Sequence, residues 1–305
     1  MTNLRDVRLR MRSIEQTLQV TKAMNLISTS KLRKGRRVLE DTEPFFTRIQ
    51  KTMCDILAGA ESLESIFFGG SGESAAGKRS AILVLTSDKG LAGGYNANIF
   101  RQVHRICEEF SKPGEAGSPR IPVLILIGAI GYRYFINSPY LILENFSFSS
   151  RLPVMDDAKE IADFVISQYL WGMFSEVHIV YTHMHSAVRL LPASRQILPL
   201  RAEKLQEEIA LSGLEKRVEL RFEYLPSEEV VFDALVPLYI KGIIYGCLVE
   251  SYASEQSARM AAMDEASKSA GEMLDSLQLS YNRARQAGIT QEITEIVGGS
   301  SVLNE

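Results

Sequence analysis

An α/β domain inserted between two long helices that pair as an antiparallel coiled coil is the fold class this sequence predicts, and three observations predict it. Near the start, Leu4, Val7, Met11, Ile14 and Leu18 step by three and four residues, the a/d spacing of a coiled-coil seam. Near the end, Met263, Ala266, Ala270, Met273, Leu277, Ser280, Ala284 and Ala287 step the same way. Between them, short β-branched runs alternate with amphipathic ones, which argues for a largely parallel sheet with helices on its faces.

The first helix carries its stripe on through Val20, Met24 and Ile27, and Leu32 and Val38 resume it. The helical pattern reaches Leu57, so residues 1–57 form an N-terminal coiled-coil helix that would be roughly 80 Å long. That exceeds the width of an ordinary domain, so much of it packs outside a globular core. The Rossmann-like α/β domain spans residues 78–226. AILVLTS (81–87), IPVLILIG (121–128), LENFSF (143–148) and EVHIVYTHM (176–184) read as strands, and RVELRFEYL (217–225) alternates like a half-exposed one. Helices are expected through Ile99, Val103, Ile106 and Phe110, and in DDAKEIADFVISQYLWGMF after Pro153. Ser227 then reads as an N-cap with acids in the first turn. It opens the C-terminal coiled-coil helix of residues 227–305, in which Pro237 is expected to kink or restart the chain. Ile289, Ile293 and Ile296 recur at helical spacing with Val297 beside the last, before Gly298 and Gly299, which are expected to stop the helix.

The net charge of −3 excludes a polyanion binder in the whole-molecule sense. It hides an asymmetry: Arg5, Arg8, Arg10, Arg12, Lys22, Lys31, Arg33, Lys34, Arg36 and Arg37 crowd the first helix. Such a run is either a solvated face or a surface for an acidic partner. A basic helical hairpin on RNA is one alternative, although no aromatic platform or nucleic-acid module accompanies it. Cys54, Cys107 and Cys247 are far apart and show no zinc or disulfide spacing, which suits a reducing compartment. No stretch reaches the ~18–20 consecutive apolar residues of a membrane span, so any membrane association is expected to be peripheral.

Chemistry has few candidates. SDKGLAGGYN lies between a strand and a helix, where backbone N–H groups can cradle an anion, yet it matches neither GxGxxG nor GxxxxGK[ST]. His183 and His185 share a strand face without a carboxylate pair to complete a metal site, and His104 and His178 stand apart. Neither a Ser nor a Cys nucleophile has a supporting motif. An α/β enzyme with a helical lid is therefore the weaker alternative; no catalytic, cofactor or metal residues are assigned.

LRDVRLRMRSIEQTLQVTKAMNLISTSKLRKGR at one end and ASEQSARMAAMDEASKSAGEMLDSLQLSYNRARQAGITQEITEIVGG at the other closely resemble the γ subunit family of F-type ATP synthases. SDKGLAGGYNANI resembles that family's motif in the first βα unit, while residues 111–216 support only the general α/β character. The resemblance implies a non-catalytic central stalk that couples ion flow through the c-ring to ATP synthesis or hydrolysis on the α3β3 ring by rotation. It implies α, β, ε and c-ring partners, no nucleic acid, no cofactor, no membrane span of its own, and a peripheral place on the cytoplasmic side of the cell inner membrane. It places Lys22, Met24, Arg259, Gln286, Thr290 and Glu292 where the rotor meets β subunits. It makes Ile289, Ile293, Ile296 and Val297 an apolar bearing tip, and brings Tyr224 and Pro226 to a c-ring foot. The bland reading of the same residues is plain coiled-coil surface. Ala92 stands where a cysteine is frequent in the family, and the closely spaced cysteine insert of plastid relatives is missing, so thiol regulation is not expected. Starting at the coiled coil, the sequence resembles bacterial members rather than organellar precursors.

Overall fold

The structure is a computed structural model that describes residues 4–59, 63, 65–68, 79–112, 120–148, 151–186, 189–201, 205 and 224–302. Among these, the elements run α1 (Leu4–Gly59), a 3-10 turn (Ile66–Phe68), β1 (Arg79–Leu85), α2 (Tyr95–Ser111), β2 (Ile121–Ile127) and α3 (Ala129–Phe135). They continue with β3 (Leu141–Phe146), α4 (Met155–Leu170), β4 (Phe174–Met184), β5 (Leu190–Leu198) and α5 (Glu228–Val302). The chain divides into two compact units: Met1–Thr29 with Arg259–Glu305, and Ser30–Ala258. Both long helices contribute to each.

The larger unit is built on a five-stranded sheet of order β3-β2-β1-β4-β5. β1, β2, β3 and β4 run parallel and β5 is antiparallel to β4. The central strands are apolar on both faces because both faces are covered, as parallel sheets require. Ile82, Val84, Leu124, Leu126 and Val180 pack with Ile99, Val103 and Ile106 of α2. Leu83, Leu85, Ile125, Val177 and Ile179 face the other way, against Ile161 and Val165 of α4 and Phe232, Val236, Ile240 and Ile244 of α5. Met53 and Ile56 of α1 join that second core.

The C-terminal end of β4 is tied to α5. The Thr182 and Met184 N–H groups donate to Ser251 Oγ (3.3 Å) and Glu250 Oε1 (3.0 Å), and Ser254 Oγ donates to the Thr182 carbonyl (3.1 Å). By length and composition one stretch within Glu228–Ile296 could cross a membrane, with a mean hydropathy of 1.6. Half of that stretch is buried inside the protein, with Phe232, Val236, Ile240, Ile244 and Val249 in the core.

The four strands read between residues 81 and 184 are present, each within a few residues of its expected ends. The strand expected at 217–225 lies outside the described residues except for its last two positions. β5 and α3 were not anticipated: LLPASRQIL carries a proline and an arginine where a strand pattern wants alternation, and GAIGYRYFI reads as the tail of a strand. Ser227 does cap α5, its Oγ accepting from the Val230 N–H at 3.4 Å. The helix then passes through Pro237 unbroken and continues over Gly298 and Gly299 to Val302, so neither the expected restart nor the expected stop occurs.

The smaller unit pairs the two helices antiparallel. A Cβ on Gly288 would lie 3.9 Å from Leu4 Cδ1. Arg8 Nη2 donates to Tyr281 Oη (2.5 Å), Ser267 Oγ to Thr21 Oγ1 (2.8 Å), and Asn25 Nδ2 to the Met260 carbonyl (3.1 Å). These layers correct the seam. After Leu18 the next buried positions are Thr21 and Ser28, whereas Val20 and Ile27 are more than half exposed. On α5, Met263 and Ala270 are buried, and Ala266, Ser267, Leu274, Leu277, Tyr281, Ala284 and Gly288 are among the half-buried positions. Met273, Ser280 and Ala287 face outward. A strict three-four step wins over side-chain polarity, because helix geometry fixes which positions face the partner.

At the edge of the larger unit, Arg120 Nη1 meets Glu176 Oε2 at 2.5 Å, and His178 Nε2 lies 3.1 Å from the same oxygen. The hydrogen bond from His178, with the Arg120 charge beside it, holds the Glu176 carboxyl below its usual value despite burial. A depressed carboxylate contributes stability that is present above its unfolded pKa and lost as pH falls through the folded one. Thermal melts across pH are therefore expected to show the wild type losing on the order of 1 kcal/mol at this site below the ordinary glutamate range. Glu176→Gln should be less stable at neutral pH and should converge with the wild type in acid. Parallel curves at all pH values would contradict this.

Candidate functional site

The expected rotor contacts fall into two groups on the smaller unit. Lys22 and Met24 lie on α1 beside Asn25, and Arg259 lies on α5 beside Met260. The Asn25–Met260 hydrogen bond puts all three at one height. Lys22 is exposed, Met24 half-buried and Arg259 buried at 7% exposure. Gln286, Thr290 and Glu292 form the second group, roughly 40 Å along α5 by helix rise. All three are exposed, and the Thr290 hydroxyl donates to the Gln286 carbonyl at 2.9 Å. The two groups are not brought together.

Leu4 is the first described residue of α1 and lies opposite Gly288. Beyond Gly288, positions 289–296 of α5 are exposed throughout. Ile289, Ile293 and Ile296 stand 48%, 56% and 71% exposed; Val297 is in the helix, its side chain outside what the structure describes. Further down, Leu9, Val20, Leu26, Ile27, Met273 and Leu279 are exposed apolar side chains of the same unit. Reading the sequence assigned Val20, Ile27 and Met273 to the seam and so missed them as surface. Extending the three-four step from Leu18 to Thr21 would have released them.

Tyr224 is half-buried against the larger core, and burial, with Asp55 and Glu228 nearby, pushes its phenol upward. Pro226 is exposed and follows a cis peptide bond from Leu225.

The SDKGLAGGYN loop spends its polar groups internally. Asn96 accepts the Ser87 N–H (3.1 Å) and donates to Ser87 Oγ (2.7 Å). The Asp88 carboxylate accepts the Ala129 N–H at 3.0 Å, and Thr86 Oγ1 accepts the Gly131 N–H at 3.0 Å. Through these bonds the loop acts as a strut between β1, α2 and α3. His183 Nδ1 sits 2.6 Å from Glu250 Oε1, and His104 lies between Tyr140 and Tyr134. Among the described residues no group of three or more His, Cys, Asp or Glu is arranged to hold a metal ion. Burial, with Glu108 adding to it, pushes the Cys107 thiol up to about 12, so it stays protonated.

A family model described as ATP synthase matches residues 3–303. An ATP synthase gamma chain from Ruminiclostridium cellulolyticum is 44% identical, over 99% of this chain and 99% of the relative. One from Acetivibrio thermocellus is 40% identical over 99% and 100%. Among solved structures, a chain of the Euglena gracilis mitochondrial ATP synthase (OSCP/F1/c-ring, rotational state 3) matches with a TM-score of 0.64 at 15% identity, over 98% of this chain and 94% of that one. A chain of the Tetrahymena thermophila mitochondrial ATP synthase central stalk and c-ring matches with a TM-score of 0.56 at 23% identity, over 81% and 99%. These two likenesses concern the fold.

Proposed function

This chain belongs to the ATP synthase gamma-chain family, and from that membership we propose that it is the central stalk of an F-type ATP synthase, turning inside a ring of α and β subunits. The observation that carries the mechanism is the row of exposed isoleucines near the C-terminal end of α5. A helix end that exposes Ile289, Ile293 and Ile296 is suited to an apolar sleeve supplied by partners. Apolar contact has no preferred azimuth, so turning there breaks no directional bonds. Ion pairs at the same place would have to be broken at each step.

The chain itself holds no catalytic site in this reading. It transmits torque, with the ion (H⁺ or Na⁺) moving through the c-ring and ATP chemistry lying on β. Lys22 and Met24 touch β directly where α1 passes it. Arg259, buried beside Met260, acts as a positioning residue that stiffens the hairpin at that height. Gln286, Thr290 and Glu292 meet β near the tip. Tyr224 and Pro226 belong to the foot on the c-ring, beside ε. The complex is peripheral to the cytoplasmic face of the plasma membrane through this foot.

Purification of a tagged copy from gently solubilised membranes tests the reading. One copy is expected with three α and three β chains and ATPase activity; a lone monomer, or one loaded with RNA that steep salt removes, would overturn it. At residue level, Met24→Lys is expected to leave assembly intact and to uncouple hydrolysis from ion pumping, because an added cation grips an acidic loop of β. Normal coupling in that variant would remove the proposed contact.

A further inference from the structure

β3 is an edge of the sheet, and a cavity of about 510 Å³ opens beside it. Its walls are Glu144, Phe146 and Phe148 from the strand and its extension, and Glu160 and Phe164 from α4. The spacing explains the convergence: residues two apart on a strand share a face, and residues four apart on a helix share a face. Phe146 stacks with Phe148 (6.2 Å between centroids, 13° between planes) and meets Phe164 edge-on at 5.8 Å. The result is an aromatic floor under two exposed carboxylates, and no basic residue lines it.

Strand addition does not suit this edge. The register between β2 and β3 shifts at Leu124/Ile125, leaving Leu143 as an extra residue in a bulge. The Asn145 N–H is covered by Glu144 Oε1 at 3.1 Å. Bulges and charges blunt edges against pairing. The occupant therefore enters by a side chain, one with an apolar stem for the phenyl rings and a cationic head for Glu144 and Glu160. A cation over an aromatic face with carboxylates alongside gains from both.

We infer that this cavity is the socket for an arginine or lysine side chain of another protein subunit, an anchor on the α/β domain separate from the coiled coil. The identity of that subunit as a member of the same complex rests on the rotor reading. The test is photocrosslinking in the purified intact complex, with the probe at the exposed cavity-lining Ser147 (Ser147→p-benzoylphenylalanine), which leaves both carboxylates in place. Irradiation is expected to join it to a peptide of another subunit, with an arginine or lysine within a residue or two of the attachment point. Adding Glu144→Lys should lower that yield at least tenfold. Attachment to lipid, attachment within this chain, no attachment in an intact complex, or a yield insensitive to Glu144→Lys would each overturn the socket. Failure of the chain to purify with any complex would overturn the rotor reading, and this inference with it.

Discussion

Gly128→Ala is expected to be the most damaging single-methyl change in the α/β unit, costing at least about 3 kcal/mol. Gly128 joins β2 to α3 with φ at +102°, a region open to glycine and strained for any L side chain. Space gives a second, independent reason. A Cβ there would lie 2.3 Å from the Thr86 carbonyl oxygen and 2.7 Å from Thr86 Oγ1. The carbonyl is backbone at the end of β1 and cannot swing away. Thr86 is also fixed by its own bonds, with Oγ1 donating to the Ile127 carbonyl at 2.9 Å while accepting from Gly131. Relief would have to come from parting β1 from β2 at the strand ends. Gly246→Ala is the control: nothing lies within 4 Å of the added atom and φ is ordinary, so the helix gains up to about 1 kcal/mol. Urea or thermal unfolding of the two variants should separate them in opposite directions. Equal stability would mean that the β1–β2 junction accommodates a side chain after all.

What the sequence made legible follows from how each element is stabilised. Buried parallel strands such as IPVLILI announce themselves because both faces must be apolar. The pairing of the chain's two ends was legible from complementary three-four steps. Elements held by context were not. β5 owes its place to pairing with β4 and to Arg195 reaching Tyr239 at 3.1 Å, not to an alternating pattern. α3 is a seven-residue helix held by Thr86 and Asp88 from the segment just after β1. In the coiled coil, residue type misled: Thr21 and Ser28 are buried and Ile27 is exposed, the reverse of what polarity alone suggests. That inversion is informative about function. A helix that spends small polar residues on its seam and turns Val20, Leu26 and Ile27 outward has a surface shaped by something other than its own folding. The tip repeats the point: Ile289, Ile293 and Ile296 were legible as a helix stripe, and their exposure was not.

Gly242→Leu is expected to cost about 3 kcal/mol, by forcing apart the two long helices where they cross within the α/β unit. A Cβ at Gly242 would come within 2.2 Å of Phe46 Cδ1 and 2.6 Å of Cε1, so the ring of α1 already fills the notch in α5. The ring has little freedom: Phe45 lies edge-on to it at 5.3 Å and Tyr245 tilts against it at 6.3 Å. The same device recurs in reverse one stretch along, where a Cβ on Gly35 of α1 would meet Tyr252 Cδ1 of α5 at 3.3 Å. Each helix thus offers a glycine to an aromatic ring of the other, and the pair of notches locks both rotation and sliding. Helix propensity opposes the damage, since leaving glycine gains roughly 1 kcal/mol, but close-packed ring atoms outweigh it. Gly242→Leu with Phe46→Ala should recover part of the loss, because the second change empties the volume the first one claims; additive losses in that double-mutant cycle would mean that the crossing is not held by this contact. In a rotor, stiffness of the larger unit at this crossing bears on how load is transmitted. The single variant, where it still assembles, should therefore hydrolyse ATP while pumping fewer ions per ATP than the wild type.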